Sequence, residues 1–106
     1  MTDFSERVYR LVATIPTGRV STYGTLASAL GGRQYARAVG MALKNNTHPF
    51  VHPGAKHCVP CHRVVCADGR LGGFNRGRAA KRKLLVAEGV VIKKGKINFD
   101  QYLFRG

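Results

Sequence analysis

The chain has no tryptophan and only five acidic residues, Asp3, Glu6, Asp68, Glu88 and Asp100. With an aromatic share of 8%, it offers no obvious stacking platform of the kind that binds single-stranded nucleic acid. The shortage of acid sets 18 Lys and Arg against 5 Asp and Glu, a net charge of +13. That is the electrostatic footprint of a partner for polyanions. The positive charge is interleaved with periodic segments and does not form a terminal block, which favours nucleic acid over generic solubility. No apolar run approaches the roughly 20 residues of a membrane-spanning helix, and no basic amphipathic helix carries a bulky aromatic face. "MTDFSERVYRL" has acids where a signal peptide has positive charge, and no apolar region follows, so an intracellular location is expected. Cysteine is sparse too: Cys58, Cys61 and Cys66 form an odd set in one short window, a poor disulfide framework, and are expected as thiols.

What is present suits one domain. A chain of 106 residues with 44% hydrophobic content supports a single modest core. Phe4, Val8, Leu11 and Val12 recur at helical spacing and predict a first helix closed by Pro16 and Gly18. "VSTYGTLASALGG" predicts a second, capped by Ser21 or Thr22, burying Leu26, Ala27 and Leu30, and stopped at Gly31-Gly32. "QYARAVGMALKNN" predicts a third, with Ala36, Val39, Gly40 and Leu43 as its apolar stripe, close packing at Gly40, and Arg37, Met41 and Lys44 on the exposed face. Two short helices across a tight turn follow the helix-turn-helix pattern, with the third helix either a recognition helix or an ordinary helix with a solvated basic side. Residues 45–57 read as a loop, and Val64 and Val65 as a short strand. "RGRAAKRKLLVAEG" predicts a fourth helix with Ala80, Leu84 and Ala87 inward and a basic outer face. "VVIKKGKINF" alternates around Lys94-Gly95 as a β-hairpin. The expected fold is therefore mainly α, a winged-helix-like domain with a helix-turn-helix and a small C-terminal hairpin.

The chemistry concentrates in "CVPCHRVV", residues 58–65. His48, His52, His57, Cys58, Cys61 and His62 include one Cys-x-x-Cys pair, but structural zinc usually takes two tight pairs, and the second is missing. A redox pair would need a βαβ context that the chain lacks. A single nucleophilic thiol activated by a neighbouring base is the third reading, and an inert buried cysteine the fourth.

"PCHRVV", together with "VSTYGTLA", "ARAVGMALKNN", "GRLGGFNRG" and the "EG" at 88–89, resembles the DNA-binding and active-site domain of the O6-alkylguanine-DNA alkyltransferases, in order and nearly without gaps from about residue 4 to residue 90. The resemblance implies a domain that inserts its helix-turn-helix into the minor groove, flips the damaged guanine into a pocket and transfers the alkyl group to a cysteine. Carried over by position, Cys61 is the acceptor, His62 the base acting through a water, and Glu88 the residue orienting it; the alternative for Glu88 is a helix-terminal surface carboxylate. Tyr23 gives a hydrogen bond to the leaving guanine, with an aromatic packing on the core as the alternative. Arg37 fills the gap left by the flipped base. Thr22, Tyr23, Gln34, Ala36, Met41 and Lys44 join Arg37 in contacting DNA. Asn46, Pro60, Arg63, Val64, Gly73, Phe74 and Asn75 shape or brace the pocket.

The resemblance implies a monomeric, single-turnover methyltransferase that requires no metal or organic cofactor and acts on double-stranded DNA containing O6-alkylguanine. Three features depart from the family pattern. The usual N-terminal domain is expected to be absent, the 47–59 loop is longer than the common form, and Phe74 stands where tyrosine is more common. Two other functions stay open: a non-catalytic damage sensor like the short alkyltransferase-like proteins, which carry tryptophan at the acceptor position, and a zinc-stabilised helix-turn-helix regulator.

Overall fold

The computed structural model describes residues 4–45, 59–73 and 77–104. The first described element is helix α1 (Phe4–Val12), whose Val8 and Val12 are fully buried as their spacing predicts. Glu6 in its first turn and Arg10 in its last complement the helix dipole. Strand β1 (Ser21–Thr22) runs directly into α2 (Tyr23–Ala29). Thr22 is the N-cap: its Oγ1 accepts a hydrogen bond from the Thr25 amide at 3.1 Å, an interaction worth about 1 kcal/mol. Leu26 and Ala27 are buried and Leu30 half-buried, and the chain leaves α2 through Gly31 and Gly32 at φ +132° and +152°.

One turn of 3-10 helix at Arg33–Tyr35 then leads into α3 (Ala36–Lys44), completing the helix-turn-helix. On α3, Val39, Ala42 and Leu43 are buried, whereas Arg37, Met41 and Lys44 are exposed. The expectation of close packing at Gly40 is corrected. A Cβ placed there meets nothing within 4 Å, and Ala42 takes the inward place assigned to it. Gly40 instead borders a cavity.

Strand β2 (Val64–Val65) pairs in parallel with β1, Ser21 opposite Val64 and Thr22 opposite Val65. Successive strand side chains point to opposite faces. Val64 therefore enters a core with Val8, Val12, Leu26 and Val39, and Val65 enters a second with Val20, Leu71, Leu85 and Ile97. This two-stranded ribbon between two cores was not foreseen from the isolated Val64-Val65 run.

Helix α4 (Arg78–Ala87) lies where its sequence predicts, but the predicted inward face is wrong by one position. Lys81 and Leu85 are buried, Ala80 and Leu84 only half-buried, and Ala87 exposed. The physical reason is that Lys81 finds two carbonyl acceptors inside: its Nζ donates to the Val64 oxygen at 2.6 Å and to that of Gly73 at 3.1 Å. Its aliphatic stem packs like any apolar side chain. The helix ends as expected at Gly89, φ +92°. The Gly89 amide donates to Val86 and the Val90 amide to Leu85. These are the paired bonds of a Schellman motif, with Val90 packing beside Leu85 in the second core.

The expected hairpin forms from β3 (Ile92–Lys93) and β4 (Lys96–Ile97), with Lys94 at φ +52° and Gly95 at +76° at its tip. Two successive residues at positive φ suit the right-handed twist of the strands. A short helix α5 (Phe99–Tyr102), capped by Asn98, was not foreseen. Beyond it, Val20 pairs with Leu103, its amide donating to Tyr102 and its carbonyl accepting from Phe104. No described helix is long and apolar enough to cross a membrane.

Candidate active site

Pro60 makes the bend that presents Cys61. At φ −78° and ψ 61° it occupies an inverse γ-turn, closed by the Cys61 amide donating to the Val59 carbonyl at 2.8 Å. A turn of 3-10 helix follows at Cys61–Arg63, with the Arg63 amide donating to Pro60 at 2.9 Å. Cys61 is 4% exposed. It borders a cavity of about 570 Å³ together with Tyr23, Arg37, Gly40, Met41 and Gly73. The cavity thus joins the active-site turn, the start of α2 and the exposed face of α3, which lie far apart in sequence.

Behind Cys61 runs a buried polar chain. His62 is fully buried, and its Nε2 lies 2.9 Å from Glu88 Oε2. Arg63 grips the same carboxylate twice, through Nε to Oε1 at 2.9 Å and Nη2 to Oε2 at 2.5 Å. Its other donors reach the Ile15 carbonyl at 2.9 Å and Thr17 Oγ1 at 3.1 Å. Glu88 stands at the C-cap of α4, where the Schellman turn fixes its backbone, so the helix end delivers the carboxylate to the histidine. Burial alone would push the Glu88 carboxyl up, but hydrogen bonds from His62 and Arg63 outweigh it and hold it down at about 2. Burial drives the His62 pKa below its usual value despite Glu88, so the imidazole is neutral at pH 7. A neutral ring donating through Nε2 to a carboxylate carries its basic lone pair on Nδ1.

On the other side of the thiol stand two more titratable groups. Burial, with the negative potential of Cys66 and Cys61, pushes the Tyr23 phenol up to about 12, so it remains a proton donor across the physiological range. Lys81, fully buried, holds its Nζ 5.8 Å from the centre of the Tyr23 ring. Burial lowers its pKa to about 8, against the opposing pull of Cys66 and Cys61. Cys66 also borders the cavity.

Residues 3–90 match the family described as 6-O-methylguanine DNA methyltransferase, DNA binding domain. The chain belongs to that family. The bifunctional methyltransferase/endonuclease of Thermoplasma volcanium is 41% identical to it over 106 residues, which cover 97% of this chain and 31% of that protein. The Methylated-DNA--protein-cysteine methyltransferase of Mycobacterium tuberculosis is 41% identical over 87 residues, 82% of this chain and 48% of that protein. The chain therefore spans only about a third to a half of these relatives. The structure of S. pombe Atl1 in complex with damaged DNA containing O6-carboxymethylguanine superposes with a TM-score of 0.76 at 35% identity, covering 100% of this chain and 98% of that one.

The residues chosen from the sequence fall into four groups. Cys61, His62, Glu88, Tyr23, Arg37, Met41, Lys44 and Gly73 lie in or directly behind the cavity. Glu88 is not a surface carboxylate, since its side chain is 3% exposed. Thr22, Pro60, Arg63 and Val64 form the surrounding frame as cap, turn, anchor and strand. Gln34 and Ala36 sit at the turn before α3 and its first position, Gln34 bordering a neighbouring surface depression with Arg37 and Met41. Asn46, Phe74 and Asn75 lie outside the described residues, as do Cys58 and the histidine-bearing loop. Sequence reasoning missed Lys81 and Cys66. No local signal marked Lys81: Ala80, Leu84 and Ala87 make the more apolar stripe, and a lysine beside it is read as facing solvent.

Proposed function

We propose that this domain repairs O6-alkylguanine in duplex DNA by moving the alkyl group irreversibly onto Cys61. The observation that carries the reading is that the Cys61 thiol and the Tyr23 phenol face one cavity, backed by a neutral histidine locked to Glu88. The Cys61 proton passes through a bridging water to His62 Nδ1, and Glu88 stabilises the imidazolium that results. The thiolate sulfur attacks the alkyl carbon and forms a C–S bond. The C–O6 bond breaks, its electron pair moves into the guanine ring, and the Tyr23 hydroxyl supports the ring nitrogen that gains negative charge. The buried positive charge of Lys81 favours the thiolate. The thioether is not a leaving group here, so each molecule acts once.

Arg37, exposed at the cavity mouth on α3, fills the space in the base stack left by the flipped guanine. The net charge of +13 supplies sequence-independent affinity for duplex DNA. In this reading one domain suffices for binding and transfer.

Intact mass of the full chain after incubation with a duplex carrying one O6-methylguanine tests the transfer. The expected result is a gain of one methyl group, abolished in Cys61→Ala. A second reading, binding without transfer, is favoured by the end-to-end correspondence with Atl1. Unchanged mass combined with tight, lesion-selective binding would establish that reading instead. Bound zinc in protein purified without added metal, lost in Cys58→Ser, would favour the regulator.

A further inference from the structure

A second cavity, of about 660 Å³, lies on the far side of Cys66 and Gly72, which border both it and the Cys61 cavity. Arg70, Arg78, Arg82 and Lys94 converge on it, all four exposed, and among the described residues no acid lines it. Asp68 lies 3.5 Å from Arg70 in a solvent-exposed pair that contributes little.

The groove is prebuilt. Its floor is the turn at residues 66–70, closed by the Cys66 amide donating to Arg70 and the Gly69 amide to Cys66. The hairpin is fastened to that turn, with the Ile97 amide donating to Gly69 at 2.9 Å and Arg70 bridging to Lys96. Gly69, at φ +89°, is needed there, because a Cβ would come within 2.9 Å of the Ile97 carbonyl. Lys94 lies beyond residue 90, where the family match ends. Four cations held on a helix, a turn and a hairpin tip around a cavity next to a base-sized pocket fit a row of phosphates.

We propose that the groove between α4 and the β3–β4 hairpin seats the phosphodiester backbone of the strand whose base occupies the Cys61 cavity. This rests on the DNA reading above and extends it to a second contact surface, one that α3 does not line. Each phosphate neutralised by a Lys or Arg contributes about 0.9 to the slope of log affinity against log salt. The double variant Arg82→Gln, Lys94→Asn removes two cations, and asparagine tolerates the positive φ at position 94.

Binding of the full chain to a duplex with one O6-methylguanine is measured across a salt series. The double variant is expected to show a slope smaller by about 1.8. Its preference for damaged over undamaged duplex and its reaction with free O6-methylguanine base should be unchanged. Arg78→Gln, which leaves the hairpin intact, is expected to lower the slope by about 0.9 and serves if the double variant does not fold. A wild-type slope in both variants would overturn the groove assignment while leaving the DNA reading standing. Failure of the wild-type chain to bind the duplex even at low salt would overturn both.

Discussion

Replacing Lys81 by methionine keeps the length and apolar stem of the side chain and removes its charge. The folded protein holds the Lys81 ammonium at about 8 instead of 10.5 because burial disfavours the charged form. An interval of that size corresponds to about 3 kcal/mol, at about 1.36 kcal/mol per pH unit. The sign follows from proton counts. Below pH 8 the lysine is protonated in both states and its full burial cost is present. Between pH 8 and 10.5 the unfolded chain keeps the proton that the folded chain has released, so stability rises with pH. Tyr23 acts in the opposite direction above pH 10, since the folded state holds its proton to about 12 and stability is lost across that window. Stability is thus expected to peak near pH 10.

Urea unfolding of wild type and Lys81→Met at half-unit intervals from pH 7 to 10.5 isolates the lysine. Subtracting the variant cancels the general relief of positive charge that both proteins share. The wild type should gain about 3 kcal/mol relative to Lys81→Met across the interval, order of magnitude. A flat difference would mean that Lys81 titrates like a solvent-exposed lysine, and the burial that defines the inner face of α4 would be refuted. The variant also separates stability from chemistry. If the Lys81 charge supports the reaction, Lys81→Met slows alkyl transfer even at a pH where it is the more stable protein.

Glu88→Gln should remove an acid-stability limb: the carboxylate's stabilisation is complete above about 4.5 and lost as pH falls toward about 2, so the wild type loses stability in that window and the variant does not. Tyr23→Phe is expected to slow methyl transfer by about 10²–10⁴-fold, the usual worth of a positioned proton donor, while duplex binding measured by anisotropy changes little. Arg37→Ala should lower transfer from duplex DNA far more than from the free base; equal losses would refute the gap-filling role. Gly40→Ala should raise the unfolding temperature, because a methyl group there meets nothing and removing a helix glycine is worth about 1 kcal/mol, whereas Gly40→Leu should block the cavity and reaction with the free base.

The helices were legible because their signals are local. The Phe4–Val12 periodicity, the Thr22 cap and the glycine after Glu88 each act within a few residues, and each element forms where they indicate. The β1–β2 ribbon was not legible, since two residues of strand carry no period and the pairing joins Ser21 to Val64 across the whole helix-turn-helix. The same holds for the site. Nothing near "PCHRVV" indicates that Glu88 or Tyr23 will meet it, and only the family resemblance supplied those partners. Cys66 was counted but given no role because the groups it acts on, Tyr23 and Lys81, come from other segments of the chain.

Lys81 shows why binary patterning fails at a site of this kind. A lysine in a basic helix is assigned outward because burying an unpaired ammonium is costly, and the lowered pKa records that cost. The cost is tolerated because two backbone carbonyls accept from the amine, one on the strand after the active-site turn and one on the Gly72–Gly73 segment bordering the cavity. Lys81 therefore ties α4 to both walls of the pocket and sets its charge beside Tyr23. The same helix delivers Glu88 to His62 two turns later. One side chain of α4 faces Tyr23, the proposed proton donor, and another holds His62, the proposed base. Rotating α4 to bury Ala80, Leu84 and Ala87 would separate Lys81 from Tyr23 and Glu88 from His62, so the apparent violation of the hydrophobic pattern is what brings the two halves of the candidate site into register.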